Sequence, residues 1–320
     1  MKNGQHKIRT AVIGVGYLGQ FHAEKYAALS EADLVGVVDA DLARAEQIAK
    51  KLNTRAFSTP EELFGKVDAV SIVVPTALHH NVAKQFLEQG IHILLEKPIT
   101  VTLEQADELI GLANKKGLVL QVGLIERYNP AVTAIKDRLK APRYMVAERS
   151  APFTLRCTDV NVILDLMIHD LDMVLHLAGS DPKEVSAAGA TVITQEIDLA
   201  SARIVFQNGC IADVTASRVS DEKKRTLRIF DNAGVYSSDY QTQKAVISER
   251  GSASVPELVT RDISTERRDT LNEEIKAFLR SVQLGLPPAV SGMEGRRALA
   301  LAQQISACIG RRDSSFIPVA

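Results

Sequence analysis

Through the first 124 residues, short apolar runs alternate with amphipathic stretches. Ala11 to Val15, Leu34 to Val38, Asp68 to Val74, His92 to Leu95 and Leu118 to Val122 read as strands buried on both faces, and Ala56-Phe57 adds a shorter one. Helical patterns separate them, from Leu18 to about Leu29, Asp41 to about Leu52, His80 to Gln89 and Thr102 to about Lys116. Thr59-Pro60-Glu61-Glu62 combines an N-cap, a first-turn proline and a capping-box acid, so a helix starts there too. Gly90 and Gly117 stop two of these helices. Six strands with crossover helices predict an α/β fold with a doubly wound parallel sheet, whose ligands sit beyond the carboxyl ends of its strands.

After Gly123 the rhythm changes. Asn129 to Leu139 reads as a helix, Arg143 to Phe153 as a strand, and Asn161 to Ala178 as a strongly apolar helix closed by Gly179. Strand patterns follow over 184–194, 199–206, 210–218, 225–231, 234–240 and 243–249, joined by short turns such as Gln207-Asn208-Gly209. Leu271 to Gln283 and Gly292 to Ile309 are again helical. The expected division is therefore 1–124 and 125–320, the second an α+β domain built on a large, mostly antiparallel sheet. Apolar alternation on Ala200 to Phe206 and Ile211 to Ala216 leads us to expect that one sheet face is covered by helices. The other is expected to be covered by a partner subunit, giving a homodimer or homotetramer.

Composition narrows the partners. At 320 residues with a net charge of −1, the chain offers no basic field for nucleic acid or anionic lipid. No apolar span is long enough to cross a bilayer, and MKNGQHKIRT has no apolar region of signal-peptide length. The three cysteines, Cys157, Cys210 and Cys308, are far apart, which argues against a disulfide framework or structural zinc and for a reducing, cytoplasmic setting.

The first apolar run is followed by glycines at 14, 16 and 19, then by a helix. Gly14 permits the tight turn, Gly16 lets a pyrophosphate approach the backbone, and Gly19 lets the helix pack on the strand. Tyr17 and Leu18 lie between them. The second strand ends in Asp39, twenty residues after Gly19, where a carboxylate accepts hydrogen bonds from an adenosine ribose. In this context the motif predicts a Rossmann fold that binds NAD; three glycines in an ordinary βαβ turn are the plain alternative. Asp39 is followed by Ala40 and Asp41, so NADP would bring its 2′-phosphate against two carboxylates with no cation to offset them.

Pro75 to His80 and Glu96 to Pro98 fall on the same side of the predicted sheet. Lys97 there can hydrogen-bond a substrate hydroxyl and stabilise alkoxide charge, or be a surface lysine. His79 edges the nicotinamide or is a solvated loop histidine. In the apolar helix, Asp165, His169 and Asp172 stand at i, i+4 and i+7, on one stripe. A histidine held by a carboxylate suits a general base; a satisfied structural cluster is the alternative. Asp170 is expected to face solvent. No ligand set completes a metal site.

AVIGVGYLGQFHA, VPTALHHNVAKQFLEQGIHILLEKP, DLMIHDLD and DTLNEEIKAFLRSVQLGLPPAVSGMEGRRAL together resemble the glucose–fructose oxidoreductase / inositol dehydrogenase / rhizopine-catabolism (Gfo/Idh/MocA) family over essentially the whole chain. The resemblance implies that Glu96-Lys97-Pro98 carries the catalytic lysine, that His169 is the catalytic histidine and that Asp165 is the acid one turn before it. Leu166, Met167 and Ile168 stand where the family usually has a glycine. The implied activity is NAD-dependent oxidation of a secondary hydroxyl of a sugar. Polyol, inositol or free-aldose dehydrogenases and an aldose–aldose oxidoreductase are enzymatic alternatives, and a non-catalytic NAD-sensing regulator is the alternative of another class. VGLIERYNPAV and FTLRCTDVNVILDLMIHDLD are similar to the nucleotide-sugar branch, which implies oxidation at the 3-hydroxyl of a UDP-N-acetylglucosamine-type sugar. Cofactor contacts are thus expected at Gly14, Gly16, Tyr17, Leu18, Gly19, Asp39, Pro75, His79, Glu96 and Lys97. Substrate contacts are expected at Lys97, Tyr128, Arg156, Asp165 and His169. Arg149 and Arg156 are the cations offered to a diphosphate, or else solvated strand-end arginines.

Overall fold

A computed structural model describes residues 7–154, 160–251, 257–264 and 266–313. The first sheet is built from β1 (Ile8–Ile13), β2 (Ala32–Val38), β3 (Arg55–Phe57), β4 (Ala69–Ile72), β5 (His92–Glu96) and β6 (Leu120–Gly123). All are parallel, in the order β3-β2-β1-β4-β5-β6. The crossovers use α1 (Gly19–Ala28), α2 (Leu42–Leu52), α3 (Thr76–Glu88) and α4 (Leu103–Lys116), with a 3-10 turn at Pro60–Leu63 in place of a full helix. β4 reads Ala-Val-Ser-Ile and is buried at every position, which is why it appears in the sequence as an unbroken apolar run with one serine. Thr102 and Gln105 form the expected capping box, and Gly117 closes α4 in the left-handed conformation.

The second sheet has eight strands: β7 (Tyr144–Ser150), β8 (Pro182–Ala190), β9 (Leu199–Phe206), β10 (Ile211–Ser217), β11 (Lys224–Phe230), β12 (Val235–Asp239), β13 (Lys244–Arg250) and β14 (Leu258–Asp262). They run β14-β13-β12-β11-β7-β10-β9-β8, antiparallel except for the β7–β10 pair. Its helices are α5 (Pro130–Lys136) and α6 (Ile168–Ala178). A helical pair follows in sequence, α7 (Thr270–Leu284) and α8 (Gly292–Asp313). Among the described residues no helix is long and apolar enough to cross a membrane.

The two units are not the two halves of the sequence. The first comprises Met1–Leu124 with Asp269–Arg296; the second comprises Ile125–Arg268 with Arg297–Ala320. The division after Leu124 agrees with the change of pattern, but residues 269–296 return to the first unit instead of staying in 125–320. The reason is packing. Leu271, Ile275, Phe278, Leu279 and Val290 are buried, Val122 N–H donates to the Val290 carbonyl at 3.0 Å, and Gly295 comes so close to Val122 that a Cβ would stand 2.7 Å from its side chain.

The apolar alternation of the second sheet is real, and half of it is covered from within the unit. Ala200, Ala202, Ile204, Phe206, Ala212, Val214 and Ala216 join one core with Leu171 and Val174 of α6 and with Leu301 and Ile305 of α8. The opposite face is mixed: Thr215 donates to Ser201 at 3.2 Å, Arg203 lies 3.8 Å from Asp213 and Lys224 pairs with Glu148, while Tyr144, Val205, Ile211 and Phe230 stand on the same side by register.

Candidate active site

The strand order of the first sheet reverses between β1 and β4, and the glycine loop sits at that crevice. Gly14 has φ +85°, and a Cβ there would lie 2.4 Å from the Val73 carbonyl oxygen; a Cβ on Gly19 would lie 1.8 Å from that of Gly14. Backbone packing requires both. Gly16 is different, because no atom lies within 4 Å of where its Cβ would be. The space it keeps open adjoins the start of α1, where Leu18 provides no side-chain cap. Open backbone at an uncapped helix N-terminus is what a diphosphate needs, so these residues fit the pyrophosphate of NAD. Tyr17, 64 % exposed, stands edge-on to Phe21 beside this loop, and Leu18 is partly exposed.

Asp39 is buried. One oxygen accepts from Val15 N–H and the other from Asp41 N–H, both at 2.9 Å, so the carboxylate ties the glycine loop to the start of α2. The guanidinium of Arg44 lies 3.3 Å from Asp39 and 3.2 Å from Asp41. The expectation of two carboxylates with no offsetting cation is corrected: Arg44, one turn into α2, is that cation. Residue spacing alone carried no sign that it folds back.

Pro75 precedes α3 at the end of β4, and Glu96 ends β5 with a cis Lys97–Pro98 bond following. His79 is buried, with Nδ1 2.8 Å from the Pro98 carbonyl and Nε2 2.9 Å from that of Val74. Both ring nitrogens thus face backbone carbonyls, and His79 is not the solvated loop histidine that was the alternative. It holds the Lys97-Pro98 turn against the end of β4. Burial lowers its pKa, against the pull of the two carbonyls. His80 is half-buried, 2.7 Å from Glu108. Glu96 also turns inward. Its Oε2 accepts from Lys97 N–H at 3.2 Å, and its Oε1 lies 3.3 Å from Nε2 of the buried His22. Glu96 therefore lies between the Lys97 turn and the buried His22.

In the second unit, α6 is entered through a π turn, Ile163–Met167, the kind of widened turn that recurs at functional sites. Asp165 lies in it and His169 one residue into α6; both are half-buried. The widened turn departs from the ideal helix on which the spacing of Asp165, His169 and Asp172 was read. Asp172 is buried in a two-pronged pair with Arg127, at 2.6 and 2.7 Å. Asp170, expected in solvent, is fully buried. It takes the Arg149 guanidinium at 2.6 and 3.1 Å, while Glu126 accepts from the same group at 3.0 Å. Arg149, 2 % exposed, commits Nε and Nη2 to two carboxylates inside the unit and is not the solvated strand-end arginine that was the alternative. Arg156 lies outside the described residues. Tyr128 is half-buried in the 3-10 turn Ile125–Tyr128. Arg225, opposite Arg149 in the β7–β11 ladder, was not singled out from the sequence, where KKRTLRIF looks like a solvated strand end. Burial lowers its pKa, and Asp165 and Asp170 oppose that shift.

Comparison with known proteins agrees with this architecture. Residues 8–124 match the model of an oxidoreductase family with an NAD-binding Rossmann fold, and residues 142–237 match the C-terminal domain of the same Gfo/Idh/MocA family. A UDP-N-acetylglucosamine 3-dehydrogenase of Acidithiobacillus ferrooxidans is 44 % identical over 94 % of this chain and 97 % of its own. A solved structure of that organism's UDP-N-acetylglucosamine 3-dehydrogenase superposes with a TM-score of 0.92 at 42 % identity, covering 96 % and 98 % of the two chains. A myo-inositol 2-dehydrogenase of Thermotoga maritima is 28 % identical over 92 % and 94 % of the two chains. With the glycine crevice, the Glu96-Lys97-Pro98 turn and matches across both domains in place, the chain belongs to the Gfo/Idh/MocA family of NAD-binding oxidoreductases.

Proposed function

We propose that this chain is an NAD-dependent dehydrogenase of a nucleotide sugar, oxidising the 3-hydroxyl of UDP-N-acetylglucosamine or a close analogue to the ketone. The observation that carries the reading is the 44 % identity, over nearly the full length of both chains, to a dehydrogenase of that name. Inositol dehydrogenases of the family lie further away, at 25–31 %. In this reading Lys97 hydrogen-bonds the hydroxyl and stabilises the alkoxide, and His169, steadied by Asp165, takes its proton. Bound NAD supplies the hydride acceptor, so one alcohol and one oxidised cofactor give one ketone, one reduced cofactor and one proton. Tyr128 and Arg156 remain the proposed further substrate contacts. We place the reaction in the cytoplasm, where the nicotinamide pool is, and in a homodimer or homotetramer joined through the open, mixed face of the eight-stranded sheet. A monomeric mass in solution at micromolar protein would refute that assembly.

The test is incubation with NAD and UDP-N-acetylglucosamine, following NADH and trapping the ketone with a transaminase as the 3-amino sugar. Oxidation of a free polyol or aldose, with no turnover of any nucleotide sugar, would replace this reading with the polyol one. Lys97→Ala and His169→Ala should each lower turnover about 10²–10⁴-fold. Full activity in either variant would remove that residue from the chemistry.

A further inference from the structure

Beneath the Lys97 turn, the first unit buries a row of polar side chains that neither the glycine loop nor the proposed proton transfer uses. Tyr26 and His22 come from α1, Ser71 from β4 and Glu96 from β5. Tyr26 Oη lies 2.8 Å from Ser71 Oγ, Ser71 Oγ 3.1 Å from His22 Nδ1, and His22 Nε2 3.3 Å from Glu96 Oε1. The last contact is at ion-pair distance but is not aligned as a straight hydrogen bond. Tyr26, His22 and Ser71 are inaccessible to solvent, and the Glu96 side chain is 12 % exposed. Such groups are costly to bury unless each finds a partner.

One order of protons serves every atom in the row. Tyr26 O–H donates to Ser71, Ser71 O–H donates to His22 Nδ1, and His22 Nε2–H points at Glu96. The imidazole is then neutral, and Glu96 is an acceptor at both oxygens, since its other oxygen already takes Lys97 N–H at 3.2 Å. Two neighbours hold this arrangement. Gly123 lies flat against the carboxylate, where a Cβ would stand 2.7 Å from Oε1. Glu274 of α7 is fully buried, and among the described residues neither of its oxygens meets a donor; burial first, and then Glu96, push its pKa well up. Of the two carboxyls, Glu274 is the fully buried one without a donor among the described residues, and Glu96 the one with donors beside it. His79, facing Glu96 from α3, is the remaining titratable group of the surround.

We propose that Glu96 is a positioning residue for Lys97, and that the row Tyr26–Ser71–His22 fixes both its orientation and its role as acceptor. The row reaches from the helix that begins at the glycine loop to the turn that carries the lysine, so it ties the placement of Lys97 to that helix. This rests on the reading of Lys97 given above.

Two readouts test it. The first is the imidazole of His22 in protein labelled with nitrogen-15, assigned with His22→Gln. The expected state is the neutral form protonated at Nε2, and Ser71→Ala should change its tautomer balance. A neutral Nδ1–H form, or no response to Ser71→Ala, would overturn the proposal whatever the substrate proves to be. The second is kinetic, with NAD and UDP-N-acetylglucosamine. Glu96→Gln keeps the shape but replaces an acceptor by a donor at one atom, and should lower kcat about 10- to 100-fold, the scale of a misplaced reacting group. Its pH–rate profile should shift, while NADH binding by fluorescence stays within about threefold of the parent. Glu96→Asp should recover part of the loss. A purely structural role would lower the melting temperature and leave the pH profile where it was, and that result would also sink the proposal. Should Glu96→Gln fail to fold, Ser71→Ala and Tyr26→Phe carry the same comparison from the far end of the row. An active Lys97→Ala would instead refute the reading of Lys97. Inactive Lys97→Ala beside normal Glu96→Gln and Ser71→Ala would refute this proposal alone.

Discussion

Asp39 spends its oxygens on Val15 and Asp41 and lies against Arg44, so the ribose end of the cofactor site is set by three charges and not two. Arg44→Ala should leave NAD affinity little changed and weaken NADP further, because a 2′-phosphate would then meet the carboxylates without relief. Asp39→Ala, which removes a charged acceptor, should cost NAD roughly tenfold or more and narrow the preference between the two cofactors. Fluorescence titration with both reduced cofactors checks the pair; tighter NADP binding in Arg44→Ala would show that the cation plays no part. Single residues were legible where a local rule fixes them. Gly14 and Gly19 are demanded by backbone approach and Gly16 by the space it leaves. Arg44 was not legible as the cation beside Asp39, because the turn between β2 and α2 decides which side of the helix faces that carboxylate.

At the scale of elements, α6 shows what periodicity can and cannot say. Its apolar character and its stop at Gly179 were plain, but its pattern did not show that Asp170 goes inward to Arg149 and Asp172 to Arg127. The strand expected over 184–194 stops at Ala190 because Asp198 gathers the N–H groups of Val192, Ile193 and Thr194 into a turn, leaving two β-branched residues exposed. The same helix carries His176, whose pKa is held down at about 3 by burial first and then by Arg127 and Lys136. Folding therefore favours its neutral form. The stability this contributes is fully present above the unfolded value near 6.5 and is lost as pH falls from there towards 3. His176→Gln should flatten the decline of the urea midpoint across that window; an unaltered slope would mean that His176 protonates as readily in the folded chain as in the unfolded one.

For the whole molecule, the telling feature is that the NAD-binding unit is discontinuous. Leu271, Ile275, Phe278, Leu279 and Val290 bury about 1.5–3 kcal/mol each at most, which together is of the order of the 5–15 kcal/mol that hold a domain folded. Residues 1–124 alone should not melt cooperatively, whereas the same residues joined by a flexible linker to 269–296 should fold and bind NADH. Calorimetry and fluorescence titration on the two chains check this, and a stable, cofactor-binding 1–124 fragment would contradict it. The change of pattern at Gly123 was readable because buried parallel strands and half-exposed antiparallel ones look different in sequence. The return of 269–296 was not, since an amphipathic helix does not declare which core it serves. On the ribosome this connectivity has a consequence in time. At ordinary synthesis rates the chain emerges for on the order of 10 s or more after Gly123 before the residues that cover β6 exist. Over that interval the first unit lacks part of its core, and a truncated product ending before Val290 should lose the cofactor as well as the substrate.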